Sequence, residues 1–275
     1  MVHDLNIAGA VVPVPVGVAF GRENPGILVV PEHSGARPGG LAQFAYPHPA
    51  ARSLTLTLVS YFSLAGMMNE NSRPKVMLVV GHPDHDSATW AIARAIEQGI
   101  ESEGDITVIT HDLVASGFDP VYREADLAHH RGLSELPADV GREQELLESA
   151  DVTVVLFPVY WWSMPALVKG WFDRVFGAYD DISHGEPSVV KQLHLVAGAG
   201  LGEGTFARHG YKTALTTQTM HGIADYSRIG DSSIEFLYDT ESKDPAVHRQ
   251  LIARAYEIGV AMARRAHSAR DSLAV

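Results

Sequence analysis

The chain has 275 residues, 46% hydrophobic and 20% charged, at a mean hydropathy of +0.01; that is globular material for one large domain or two small ones, not a disordered chain. It contains no cysteine, which removes disulfides, thiol nucleophiles, thiolate zinc sites and iron–sulfur clusters. A net charge of -12 argues against nucleic acid or anionic lipid as partner, and no run approaches the ~20 apolar residues that cross a bilayer.

The first seventy or so residues carry no sustained period. Seven of the 15 prolines (Pro13, Pro15, Pro25, Pro31, Pro38, Pro47 and Pro49) fall there, and the first lysine of the chain is Lys75. Leu54–Leu64 is apolar and follows Arg52, loosely like a signal-peptide core, but Met1-Val-His-Asp has no basic start. Residues 1–72 are expected to be a poorly ordered extension outside the core. It is either a variable N-terminal arm or a segment ahead of a natural start at Met67 or Met68. No internal repeat is visible.

From Lys75 the pattern becomes regular. Lys75–Gly81 reads as a strand covered on both faces. Ser87 is placed to cap a helix carrying Trp90, Ala93, Ile96 and Ile100, which Gly104 closes. Ile106–His111 is a second strand, Arg142–Ala150 a helix, and Val152–Phe157 a third strand. Pro165 suits the first turn of a helix whose Trp171, Phe172 and neighbouring Phe176 belong to a packed face. His194–Ala197 and Ile234–Leu237 are strands separated by a helix over Tyr211–His221. A last helix runs from Pro245 to Ala266. Five strands alternating with helices predict a doubly wound parallel sheet of the flavodoxin or Rossmann type, with ligands at the carboxyl ends of the strands.

Three loops lie at those ends. The first, GHPDHDSATW, lacks G-x-G-x-x-G but runs a strand into a helix start holding Ser87 and Thr89. Free N–H groups there, with two hydroxyls and His82, suit a phosphate or pyrophosphate. Ser87 is equally accounted for as a plain helix cap. A metal cluster of His82, His85 and Asp86 is the weaker reading, and no metal is expected. The second loop, FPVYWWSMPALVKGWFDRVF, puts Tyr160, Trp161 and Trp162 after a buried strand. Neighbours in extended chain face opposite ways, so at least one of the three is expected to offer a flat face to a planar ligand, which would also meet the N–H groups of the turn; the alternative is core aromatics at a helix entry.

HPxxxS after the first strand and FPxxWxxxPxxxKGxxDRV after the third resemble the flavodoxin-like NAD(P)H:quinone oxidoreductase family. That family includes the mammalian quinone reductases, bacterial modulators of drug activity and the ancillary proteins of glutathione-gated potassium efflux systems. The likeness runs from about Lys75 to Ala266. It implies that His82, Ser87, Thr89 and Trp90 hold the flavin phosphate region. Pro158, Val159, Tyr160, Trp161 and Trp162 would wrap the isoalloxazine ring, with Ala197, Gly198, Ala199 and Gly200 as the glycine-rich loop beside it. His209 in ARHGY fits a histidine that assists hydride transfer, making it the expected catalytic residue. Two positions depart from the pattern. The tyrosine expected upstream of His209 is missing, with Glu203 and Phe206 there instead, and the usual Asn after the loop-one serine is Thr89.

The resemblance implies a cytoplasmic homodimer passing a hydride from NAD(P)H through bound flavin to a quinone-like acceptor. Residues 73–275 would form the flavin-binding domain, with FAD expected over FMN from the long Leu113–Gly141 connection. The alternative is a flavin-loaded ancillary subunit of a membrane transport system, and a third reading is a flavodoxin-type electron carrier.

Overall fold

The computed structural model describes residues 73–179 and 188–273; the expectation for residues 1–72 lies outside the described residues. The strands are β1 (Lys75–Val80), β2 (Thr107–Asp112), β3 (Val152–Pro158), β4 (Gln192–Gly198) and β5 (Asp231–Leu237). They form one parallel sheet in the order β2-β1-β3-β4-β5. All five expected strands are present. β4 and β5 begin earlier than their apolar runs because Gln192, Asp231, Ser232 and Ser233 are polar yet paired in the ladder.

The helices are α1 (Ala88–Glu101), α2 (Glu124–His130), α3 (Ala138–Ser149), α4 (Ala166–Val175), α5 (Glu203–Arg208), α6 (Tyr211–Thr216) and α7 (Pro245–Leu273). The single helix expected over Tyr211–His221 is corrected to α6 followed by a wider π-helical segment, Thr217–Asp225. Thr219 gives a reason. Its buried hydroxyl donates to the Leu215 carbonyl at 2.8 Å, competing with the backbone ladder one turn back. The short α2 was not expected at all. Asp126 makes it, accepting the N–H of Arg123 at 2.7 Å and the buried Arg174 Nε at 2.9 Å. Arg174 also binds Asp139 on α3 at 2.6 Å, which together with that guanidinium's charge holds the Asp139 carboxyl below its ordinary value.

Alternation along β1 sends Val76, Leu78 and Val80 to one face of the sheet and Met77 and Val79 to the other. α1 and α7 cover the first face through Ile92, Ile96, Ala255 and Met262. α3 and α4 cover the second through Leu147, Val168, Trp171 and Phe172. α1 and α7 cross with their backbones touching. A Cβ on Gly99 would stand 2.1 Å from the Tyr256 carbonyl oxygen, and one on Gly259 2.1 Å from that of Ile96. At the amino ends of the strands, fully buried Asp151 takes the Lys75 N–H, Lys191 Nζ and Arg270 Nε at 2.7–2.9 Å. Burial raises this carboxyl and the donors outweigh it, leaving its pKa below the ordinary value.

Candidate functional site

β1 is flanked by β2 on one side and β3 on the other, so the winding reverses between β1 and β3 and leaves a crevice at their carboxyl ends. The loops after β1, β3 and β4 meet there. The Gly81 N–H donates to the Leu156 carbonyl at 3.0 Å and the Val159 N–H to the Gly198 carbonyl at 2.7 Å.

The first loop is braced by its own polar groups. Asp84 donates its N–H to His82 Nδ1 at 3.1 Å, and its carboxylate and carbonyl take the N–H groups of Asp86 and Ser87. Ser87 caps α1, its Oγ accepting the Trp90 N–H at 3.3 Å. Buried Trp90 donates its indole N–H to the His82 carbonyl at 3.0 Å and stacks on the His85 ring at 4.3 Å. His85 is tied to Asp112 at 2.8 Å, and Thr89 is buried. His82 and Trp90 therefore build the loop. Toward a ligand the site offers the Ser87 hydroxyl and the N–H groups of Ala88 and Thr89, which find no acceptor among the described residues. At the start of a 14-residue helix such groups suit an anion. Among the described residues no group of His, Asp and Glu is arranged to hold a metal.

Three basic side chains along α1 escaped the sequence reading. The exposed Arg94 donates to the His85 carbonyl at 3.1 Å. A hollow of about 190 Å³ runs from Ser87 and Ala88 to His248 on α7. It adjoins a groove of about 720 Å³ that passes Arg249 and Tyr256. His248 and Arg249 sit some 160 residues from Ser87 in sequence, so only the α1–α7 contact could have found them.

The second loop is a two-residue turn. Tyr160 and Ser163 exchange N–H···O bonds of 3.0 Å, and Trp161 (φ 49°) and Trp162 (φ 65°) between them carry the φ signs of a type I′ turn. Asn-Gly is the usual choice here, and the left-handed conformation costs a non-glycine residue roughly 1–2 kcal/mol. The aromatic run is thus not extended chain, which corrects the reasoning by alternation. Trp162 turns inward, stacked on Tyr211 (3.8 Å between centroids, 9° between planes) with Phe206 edge-on at 5.8 Å. Such pairs are worth ~0.5–1.5 kcal/mol each beyond burial, enough with the turn's two hydrogen bonds to offset the strain. Trp161 is left 94% exposed. The N–H groups of Trp161 and Trp162 find no acceptor among the described residues.

Beside this turn lies a hollow of about 180 Å³ lined by Val159, Trp161, Trp162, Gly200, Phe206 and Glu241. It is smaller than the ~300–1,000 Å³ of a typical ligand pocket, with room for one end of a planar group but not for a whole ligand. Pro158 ends β3 just below it, and Tyr160 is half-exposed. Of Ala197, Gly198, Ala199 and Gly200, Gly200 alone lines the hollow, with Leu201 next to it. A Cβ there would come within 2.8 Å of the Glu241 carboxyl group. Ala197 and Ala199 are fully buried, Ala199 N–H donating to the Leu237 carbonyl at 2.7 Å, and Gly198 spends its carbonyl on Val159. His209 caps the end of α5, exposed, with its ring 5.4 Å from that of Tyr211. Tyr211 therefore bridges it to Trp162. Nearby, burial raises the Tyr238 hydroxyl above its ordinary pKa, with Lys212 opposing.

Comparison with known proteins gives a consistent answer. A family model described as flavodoxin-like fold matches residues 74–258. The uncharacterized NAD(P)H oxidoreductase YcaK of Escherichia coli K12 is 32% identical over 171 residues, 60% of this chain and 84% of its own. Rat NAD(P)H dehydrogenase [quinone] 1 is 30% identical over 122 residues, 38% of this chain; the chain spans 43% of that enzyme's length. In structure, an NAD(P)H:quinone oxidoreductase from Methanothermobacter marburgensis superposes with a TM-score of 0.62 at 23% identity, covering 68% of this chain and 95% of its own. An FMN-dependent NADH-azoreductase from Bacillus anthracis, in complex with FMN, gives 0.56 at 14% identity over 69% and 99%. These two show likeness of fold.

Proposed function

The chain belongs to the flavodoxin-like fold family, and from that premise we propose that it is a flavin-dependent oxidoreductase acting between NAD(P)H and a quinone-class acceptor. The observation that carries this is the Trp161–Trp162 turn, a strained two-residue loop presenting two unpaired N–H groups and an exposed indole beside a hollow at the crevice. When bound there, a flavin supplies two-electron chemistry, taking a hydride from the nicotinamide and giving it to the acceptor.

The residues present fit that group. The turn's N–H groups suit the polar edge of a ring that gains negative charge on reduction, and Trp161 offers it a face. Gly200 admits it where a side chain would meet Glu241. Ser87 and the Ala88 and Thr89 N–H groups hold phosphate. His209 stands behind Tyr211, its ring 5.4 Å from the tyrosine ring, as the residue that would assist hydride transfer. Sharing one small hollow makes the two substrates bind in turn, a ping-pong pattern.

The finer reading is FAD rather than FMN. Support comes from the hollow that runs from Ser87 to His248 and the groove beyond it past Arg249, where a second phosphate and a flat base would find basic side chains and apolar wall. A homodimer in the cytoplasm, where NAD(P)H is supplied, completes the proposal. No observation favours a transport-system subunit. The test is chromatography of the cofactor released from purified protein, with NADH- and NADPH-driven quinone turnover by the same sample. Parallel initial-rate lines and released FAD are expected. A colourless protein that takes up neither flavin and turns over no quinone overturns the reading.

A further inference from the structure

We propose that Tyr211 is the positioning residue of this site, its ring clamping Trp162 so that the two-tryptophan turn keeps the left-handed conformation that aims two N–H groups at the ligand. The turn needs such a clamp. Two consecutive tryptophans at φ 49° and 65° occupy positions where glycine or asparagine is normally required, so the backbone by itself favours another shape. Trp161 contributes nothing to holding it, being 94% exposed. Ser163 Oγ donates to Gln218 only at 3.3 Å. Beside the two Tyr160–Ser163 backbone hydrogen bonds, the side chain that holds the turn is Trp162, with one face covered by Tyr211 at 3.8 Å and 9° and its edge by Phe206.

The chain places Tyr211 for this purpose. Gly210, at φ 73°, turns the backbone between α5 and α6, and Tyr211 is the first residue of the new helix. Phe206 packs edge-on against Tyr211 as well, at 6.0 Å, so the clamp is held from α5. Tyr211 does not line the hollow, so it acts through Trp162 and not on the ligand. That the turn binds flavin rests on the functional reading above; that Tyr211 holds the turn does not.

The test uses the full chain with flavin removed, as wild type, Tyr211→Leu (volume kept, stack lost) and Tyr211→Phe (stack kept, hydroxyl lost), each checked for an unchanged far-UV spectrum. Tyr211→Leu should raise the acrylamide-quenchable share of tryptophan emission and remove near-UV ellipticity from the Trp162–Tyr211 stack. Tyr211→Phe should match wild type in both. Titrated with FMN and with FAD, Tyr211→Leu should bind roughly two- to tenfold more weakly, the share a stack of this kind can supply. Tyr211→Phe should not differ. Beside Trp162→Gly, where glycine enters the left-handed region freely, adding Tyr211→Leu should cause no further loss. Unchanged quenching and ellipticity in Tyr211→Leu overturn the clamp, and so does an unchanged flavin affinity once the stack is lost. An equal loss beside Trp162→Gly would mean that Tyr211 touches the ligand, and also overturns it. Should wild type bind neither flavin, the functional reading fails, and the quenching and ellipticity comparison still decides the clamp.

Discussion

Acid should destabilise this domain well before its carboxylates protonate, because of one histidine in the sheet. His194 lies in β4, 1% exposed, its Nδ1 2.8 Å from Ser233 Oγ. Burial, and then the positive charge of Arg265, lower its pKa from 6.5 to about 4, with Asp231 opposing weakly. The folded chain therefore keeps this ring neutral between those two values while the unfolded chain takes up a proton. Stability is full above pH 6.5 and falls as pH drops toward 4. A shift of about 2.5 units at ~1.36 kcal/mol per unit is worth roughly 3 kcal/mol, or some 6–12 °C in Tm for a domain of this size. Asp151 and Asp139, whose pKa values lie below 3.8, add their losses only at lower pH, so the window belongs to the histidine. Urea melts of wild type and His194→Gln at pH 7.5, 6.5, 5.5 and 4.5 measure it. The variant should start less stable and lose about 2.5 kcal/mol less than wild type across the series, which stops just short of the folded-state pKa. Parallel profiles would refute the assignment.

The two tryptophans of loop two and its helix should separate cleanly. Trp171→Ala, at a fully buried ring whose N–H binds Glu143 at 2.8 Å, should cost ~3–5 kcal/mol in denaturant melts. Trp161→Ala, at a 94% exposed ring, should stay within ~0.5 kcal/mol while lowering flavin occupancy; the reverse result would undo both placements. Gly259→Ala drives a methyl into the Ile96 carbonyl and should cost at least ~1–3 kcal/mol, so an unchanged Tm would mean that α1 and α7 do not cross there. His209→Gln should leave flavin content intact and slow flavin reduction by NAD(P)H at least several-fold, and by up to ~10²–10⁴-fold if the histidine carries a full proton-transfer role. A stopped-flow rate that is the same from pH 6 to 8 would remove His209 from the reaction.

The sheet and its ligand-bearing end were legible because their signals are local. KVMLVV and VTVVLF are buried on both faces and so lack polar alternation, and Ser87 ahead of Trp90 marks a helix start on chemistry alone. The polar beginnings of β4 and β5 were not legible, since Gln192 and Asp231 join the ladder only because a neighbour is there to pair with. α2 likewise exists through Asp126 meeting Arg174, 48 residues away.

By itself the sequence determined which residues stand at the crevice: Ser87 with the helix start, the aromatic run Tyr160–Trp162, and the loop ending in Gly200. Each follows a strand directly, and a parallel sheet brings all carboxyl ends to one side. Only the tertiary structure decided what each does there. Trp90 and His82 look alike as ligand contacts in one dimension, but the Trp90 indole N–H is spent on the His82 carbonyl and His82 Nδ1 on the Asp84 N–H. Trp161 and Trp162 are adjacent and chemically alike, yet one faces solvent and the other Tyr211, because a turn and not an extended strand carries them. His248 reaches the Ser87 hollow from the last helix, and Arg249 lines the groove that adjoins it. Side-chain hydrogen bonds and ring stacks between distant segments depend on angles and distances of a few ångströms, which residue order does not encode until the chain has packed.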